Sequence, residues 1–145
     1  MERNLCYLPC VLRLEESVYM RSNPRPKAIA TEGGVVTKAT IRAAKFLGLK
    51  NNVLAKIVGV SEPTISRLHK GTYMFERGQK DFELAVLFVR LYRSLDAMVG
   101  GDDTVAADWL KHKNSNLDGI PLELIQTVSG LTNVINYLDS RRAIV

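Results

Sequence analysis

The stretch 51–70 has the residue types and spacing that two closely packed helices with a tight turn between them require. Ala55 is small, and Gly59 follows it by four positions. A small residue lets two helices approach closely, and glycine adopts the positive φ that a tight turn between them requires. Ile65 and Leu68, three positions apart, then face the core from the second helix. This spacing predicts a helix-turn-helix.

The second helix of this motif would present polar side chains to the major groove. Ser61 is expected to cap it by accepting a hydrogen bond from the first N–H groups. Arg67 could bind a guanine edge or clamp a phosphate, and Glu62 could accept from a cytosine or only complement the helix dipole. The remaining polar groups would contact phosphates, which position a protein on DNA without reading its sequence. The predicted DNA-binding residues are Lys50, Asn51, Asn52, Lys56, Ser61, Glu62, Pro63, Ser66, Arg67, Lys70 and Tyr73.

The residues that could act in catalysis or bind a metal lack the partner residues that these functions need. Ser66 and His69 have no third group to orient them as a nucleophile and its base. Cys6 and Cys10 lie four positions apart, but nothing nearby completes the four ligands of a zinc site. Asp102 and its acidic neighbours are better placed to cap a helix than to hold a metal. We therefore expect no enzyme activity, no catalytic residue, no metal and no cofactor.

The charge is unevenly divided along the 145 residues. Residues 1–80 hold 14 Lys and Arg against 6 Asp and Glu, whereas residues 81–145 hold 6 against 9. A cationic surface raises affinity for phosphate backbones, so the two parts suggest two surfaces with two partners. No apolar run approaches the roughly 20 residues that span a bilayer, and the N-terminus lacks the apolar core of a signal peptide. We expect a cytoplasmic protein.

Helical spacing of apolar residues through most of the chain predicts an all-α protein in three segments. Residues 1–34 read as a poorly ordered N-terminal arm, in which Met20 is an alternative start. Residues 35–98 form the helix-turn-helix domain and end in a long helix for dimerisation or core packing. Residues 99–145 form a smaller helical domain, the candidate site for a second partner.

Two of the predicted helices have ends that can be tested directly. Thr37 or Thr40 is expected to cap the first helix, which would end at Gly48. The long helix, Gln79–Met98, is apolar almost all round, which indicates burial between other helices or subunits. A turn is expected at Ser129 and the glycine after it.

An ordered set of short motifs runs through the last segment. It consists of Ala107-Asp108-Trp109-Leu110, Asn114-Ser115-Asn116-Leu117-Asp118-Gly119-Ile120-Pro121, Gly130-Leu131, Val134 and Tyr137-Leu138-Asp139. With these motifs, the chain from Val35 onward resembles the Xre-type antitoxins of RES–Xre toxin–antitoxin modules. In that family the C-terminal part is the MbcA/ParS/Xre toxin-binding domain. The resemblance does not extend to the arm.

The resemblance implies a mechanism and its partners. The partner would be a RES-domain toxin that consumes NAD, and the antitoxin would cover its active site with the C-terminal region. The helix-turn-helix would repress the module's own promoter, with a homodimer inside the toxin–antitoxin assembly matching a two-fold operator. The residues expected to meet the toxin are Tyr137, Asp139, Arg141, Arg142 and Val145. Trp109 could belong either to the core or to the interface.

Two alternatives are also compatible with the sequence. The chain could be a dimeric repressor whose C-terminal part only dimerises or senses a small molecule, without a toxin partner. It could also be a protein-interaction adaptor in which the helical corner no longer touches DNA. In the same way, Arg141 and Arg142 could be a solvated helix end that interacts with the helix dipole.

Overall fold

The computed structural model describes residues 31–142, and this part of the chain is all-α, which confirms the predicted fold class. Between these residues there is no strand, and a single isolated bridge joins Asn114 to Gly119. The expectations for residues 1–30, and for Val145, lie outside the described residues. The helices are α1 (Glu32–Phe46), α2 (Asn51–Val58), α3 (Glu62–Lys70), α4 (Lys80–Val99), α5 (Asp103–Lys111), α6 (Pro121–Leu124) and α7 (Val128–Arg142).

The first helix begins earlier than its sequence suggests. Its cap is Thr31, whose side chain accepts a hydrogen bond from the Gly34 N–H at 3.2 Å. The predicted cap at Thr37 or Thr40 is wrong, because both threonines are buried inside α1. Residues 32–34, which the sequence assigned to the arm, therefore form the first turn of a helix.

Contacts with the loop between α3 and α4 explain why α1 begins before the predicted position. The hydroxyl oxygen of Thr37 accepts a hydrogen bond from the backbone N–H of Phe75 at 3.0 Å. Gly33 lies so close to the Phe75 carbonyl that a Cβ at this position would overlap it. The glycine thus permits close packing of α1 on the loop and does not mark a linker.

The helix-turn-helix forms where the spacing predicts it. Gly59 follows α2 with a φ of 72°, in the left-handed region that glycine tolerates, and its N–H donates to the Ala55 carbonyl. Ala55 is buried where α2 meets its neighbours, and Ile65 and Leu68 of α3 are buried as well. The three helices α1, α2 and α3 enclose this part of the core.

The long helix α4 is the element on which the others pack. It begins one residue after the predicted start and contacts α1, α2, α5 and α7. One side of α4 is fully buried, and its members are Ala85, Phe88, Leu91, Ser94 and Leu95. Its opposite side stays open, since Val86 is 41% exposed.

The C-terminal helices pack against the second half of α4. Asp102 caps α5 by accepting hydrogen bonds from the Thr104 and Val105 N–H groups at 2.9 and 3.1 Å. The turn expected at Ser129 is wrong, because α7 runs continuously through that position. Gly130 serves instead to bring α7 against the C-terminal end of α6, where a Cβ would overlap the Leu124 carbonyl.

Candidate functional site

The exposed side of α3 carries the residues that the sequence assigned to DNA. Glu62, Pro63, Arg67 and Lys70 are exposed, and Ser66 is half-buried at the edge of the helix. The residues assigned to phosphates at the start of α2 and along it are exposed too, and they are Lys50, Asn51, Asn52 and Lys56. The fold therefore brings the predicted recognition helix and the side chains predicted to bind phosphates to the surface.

The cations of this surface are available to an anionic partner. The two ion pairs formed among residues 31–142 join Arg77 to Glu32 and Arg90 to Asp139, and neither includes a residue of α2 or α3. Lysine and arginine side chains without an internal carboxylate partner are suited to neutralising phosphates. This supports the prediction of a nucleic-acid surface on physical grounds.

The role expected of Ser61 needs correction. Ser61 occupies the cap position before α3, with extended backbone angles, but its side chain makes no hydrogen bond to the helix N–H groups. Its hydroxyl instead lies 2.8 Å from the Thr64 hydroxyl. The backbone N–H groups of Thr64 and Ile65 donate to the Ser61 carbonyl at 3.0 and 3.2 Å, and Pro63 has no N–H, so the start of α3 does not present a cluster of free N–H groups.

Tyr73 also has a partner that the sequence did not indicate. Its hydroxyl donates to the Asp81 carboxylate at 2.6 Å. This hydrogen bond, with burial and the negative charge of Asp81, raises the pKa of Tyr73 to about 12. The bond ties the loop after α3 to the first turn of α4, so the hydroxyl assigned to a phosphate is already engaged within the chain.

The four described residues among those assigned to the second partner do not form one surface. At 3.6 residues per turn, Tyr137 and Arg141 lie on one side of α7, and Asp139 and Arg142 lie on the other. The structure describes these four side chains, while Val145 lies outside the described residues. The two sides of the helix have different surroundings.

A stack of planar groups covers the first side. The Tyr137 and Trp109 rings lie nearly parallel, with 6.3 Å between their centroids and 17° between their planes. The Arg141 guanidinium carbon lies 5.3 Å from the centroid of the Tyr137 ring, within the range of a cation–π contact. Trp109 and Tyr137 both remain half-buried, so Trp109 is shared between the core and the surface.

Polar groups surround the Tyr137 hydroxyl. The side-chain amide of Asn116 donates to it at 3.4 Å. Asn114, Asn116 and Arg141 lower the pKa of Tyr137 by favouring the ionised oxygen, and burial opposes them. Among these groups, Asn114 and Asn116 come from the loop between α5 and α6, whose position relative to Tyr137 could not be read from the sequence.

The second side of α7 binds α4. One Asp139 oxygen accepts from the Arg90 guanidinium at 2.6 Å, and the other accepts from the Ser94 hydroxyl at 2.7 Å. Ser94 is buried, and its hydrogen bond together with that of Arg90 lowers the pKa of Asp139 below its ordinary value. The carboxylate assigned to a partner protein thus joins the C-terminal helix to the long helix of the first half.

A groove runs beside this junction. It has a volume of about 980 Å³ and lies between α1, α4 and α7. Its apolar walls include Val35 and Val86, which are 52% and 41% exposed. Arg93 and Arg142 lie among its lining residues beside the Arg90–Asp139 pair. The exposed side of α4 is therefore apolar near Val86 and cationic near Arg93.

Other kinds of site find no support in the part of the chain that the structure describes. Over residues 31–142, no three His, Cys, Asp or Glu side chains come together as a metal site. None of the described helices has both the length and the apolar character that a membrane span needs.

Comparison with protein families gives two matches that divide the chain within α4. Residues 28–90 match the Antitoxin Xre-like helix-turn-helix domain. Residues 94–143 match the Antitoxin Xre/MbcA/ParS C-terminal toxin-binding domain. A search of curated proteins found no match. The first match contains the cationic surface of α2 and α3, and the second contains both sides of α7.

The hydrogen bonds of Asp139 to Arg90 and Ser94, which we call the Asp139 junction, should make the free energy of unfolding depend on pH. We predict that Asp139→Asn lowers the free energy of unfolding by about 1 kcal/mol near neutral pH, because the partly exposed ion pair with Arg90 is lost. Since the folded state lowers the pKa of Asp139, the wild-type chain loses this contribution as the pH falls below about 4. Urea unfolding of both chains at neutral and acid pH measures the difference.

The control for this prediction is Asn136→Ala, an exposed change on the same helix. The difference between wild type and Asp139→Asn should shrink on acidification, while Asn136→Ala should remain close to wild type throughout. An Asp139→Asn chain as stable as wild type near neutral pH would show that the junction contributes nothing.

Proposed function

Because the chain belongs to the Xre-type antitoxins of toxin–antitoxin systems, we propose that it neutralises a RES-domain toxin that degrades NAD and that it represses its own promoter. One observation carries the proposal: a toxin-binding domain and a cationic helix-turn-helix share one long helix in a single chain. The chain itself is assigned no catalytic role, and it acts in the cytoplasm, where both the promoter and NAD are found.

The DNA-binding part of the proposal rests on α3. Glu62 and Pro63 are exposed at its N-terminus, and Arg67 projects from its exposed side. Arginine binds the two acceptors of a guanine edge in the major groove, whereas Lys56 on α2 is suited to a phosphate. A homodimer would place two such helices about 34 Å apart on a two-fold operator.

The toxin-binding part rests on the C-terminal helix. The cationic end of the chain would pair with carboxylates that the toxin presents at or beside its cleft. Arg141 and Arg142 are exposed at the end of α7, and Tyr137 is half-exposed one turn earlier. We propose that these side chains contact the toxin and that the residues after α7 cover its active site, with Asp139 holding α7 in position through Arg90.

The DNA surface can be tested with one substitution and a matched control. We predict that Arg67→Ala weakens binding to a fragment of the module's own promoter by about tenfold, because a bidentate base contact is lost. Arg42→Ala removes an exposed arginine from α1 and should leave the affinity unchanged. Fluorescence anisotropy with the promoter fragment and with a scrambled duplex gives both affinities.

A further variant separates base contacts from phosphate contacts. Lys56→Ala should weaken binding to both duplexes and lower the slope of log affinity against log salt by about one unit. Equal affinities of wild type and Arg67→Ala for the promoter fragment would contradict the assignment of α3 as the recognition helix.

Neutralisation can be tested in cells that express the chain with the toxin encoded beside it. We predict that the two proteins co-purify and that cellular NAD stays at its normal level. Deleting residues 143–145 leaves all of α7 in place, and NAD should then fall while the two proteins still co-purify. An NAD assay on cell extracts, paired with a pull-down on an N-terminal tag, measures both effects.

Two results would count against this function. If the full chain neither co-purifies with the neighbouring protein nor preserves NAD, it does not neutralise that protein. If NAD stays normal after the deletion, the last residues do not block the active site. A toxin that stops growth without lowering NAD would contradict only its assignment to the RES type.

A further inference from the structure

We propose that the toxin docks on one side of the C-terminal domain, which we call the aromatic face and define by Val105, Trp109, Asn116, Tyr137 and Arg141. This inference rests on the proposed function and goes further, since it separates the surface that holds the toxin from the end of the chain that covers the active site. The aromatic face supplies affinity, and the residues after α7 supply inhibition.

The geometry of α7 restricts which of its side chains a single partner surface can contact. Tyr137 and Arg141 are four residues apart and lie on the same side of the helix. Asp139 lies about 200° around the helix axis from Tyr137. A partner that docks on α7 from the side contacts either the side of Tyr137 and Arg141 or the side of Asp139, but not both.

The side of Asp139 is already occupied within the chain. Both carboxylate oxygens of Asp139 are bonded, one to Arg90 and one to the buried Ser94. A toxin that bound Asp139 would have to break this junction and leave the Ser94 hydroxyl unsatisfied, which is costly for a buried group. The side of Asp139 therefore serves to hold α7 on α4.

The aromatic face is not covered in the same way. Trp109 and Tyr137 stack on each other but both remain half-exposed. Val105, one turn before Trp109 on α5, is 48% exposed. Exposed apolar and aromatic side chains at the centre of a polar rim are typical of the energetically dominant part of a protein interface.

The occupant follows from the position and the charge of this face. All five residues lie within the stretch 94–143, which matches a toxin-binding domain. Arg141 carries a positive charge over the Tyr137 ring, and Asn116 adds an amide at its rim. The toxin surface that fits here has an apolar side chain against Val105 and Trp109, with a carboxylate near Arg141.

The test uses the purified full chain and the toxin encoded beside it. Arg141→Glu reverses an exposed charge on the aromatic face and should weaken the affinity by about 30-fold or more, as expected for an interface hot spot. Arg93→Glu makes the same change in the groove beside α4, away from the aromatic face, and should change the affinity by less than about threefold. Isothermal titration calorimetry gives both values.

Two more variants probe the apolar part of the face. Val105→Asp places a charge at an exposed position, and Trp109→Ala removes half of the aromatic stack. Both should weaken toxin binding at least as much as Arg141→Glu does. Since Trp109 also packs on the core, circular dichroism and binding to the promoter fragment check that each variant is folded.

The outcomes distinguish the two proposals. If the wild-type chain does not bind the neighbouring protein, the proposed function and this inference both fail. If the wild-type chain binds but Arg141→Glu and Val105→Asp bind equally well, only the aromatic face is excluded. If Arg93→Glu causes the larger loss, the toxin docks at the groove instead.

Discussion

The buried side of α4 is the constraint on which the rest of the structure depends. Phe88, Leu91 and Leu95 are completely buried there, in contact with helices from both halves of the chain. The match to the helix-turn-helix domain ends at residue 90 and the match to the toxin-binding domain begins at residue 94. The boundary between the two families therefore falls inside one continuous helix, and a single hydrophobic core extends to both sides of it.

Asp139 connects the two family regions through α4. The carboxylate of Asp139 reaches across the boundary to Arg90 on one side and to Ser94 on the other. Helix α7 is thus fixed to the same element that supports α3 through α1 and α2. The two proposed surfaces, α3 for DNA and the aromatic face for the toxin, are held by one framework.

Local chemistry explains which features could be predicted from the sequence. Gly59 adopts the left-handed conformation that its position between two apolar helices indicates, and Asp102 caps α5 as its residue type favours. The spacing of Ile65 and Leu68 predicts their burial. These predictions rest on interactions within a few residues, so one sequence was sufficient to make them.

The features that were missed depend on contacts between distant parts of the chain. Gly33 and Gly130 look like helix breakers, yet each lies inside a helix because a backbone carbonyl packs against it. Asp139 looks available to a partner until Arg90, 49 positions away, is placed beside it. Likewise, the stack of Trp109 on Tyr137 needs the fold of the loop between α5 and α6. The spacing of residues along the sequence does not show which distant residues come into contact.

Hydrogen exchange of the full chain, measured alone, with promoter DNA and with the neighbouring toxin, tests the central claim most directly. Two partners that bind two surfaces of one framework should protect two different sets of amides. We predict that DNA slows exchange at residues 51–70 and that the toxin slows exchange at residues 105–141. Protection of the same segment by both partners, or protection by the toxin outside the C-terminal helices, would contradict the account.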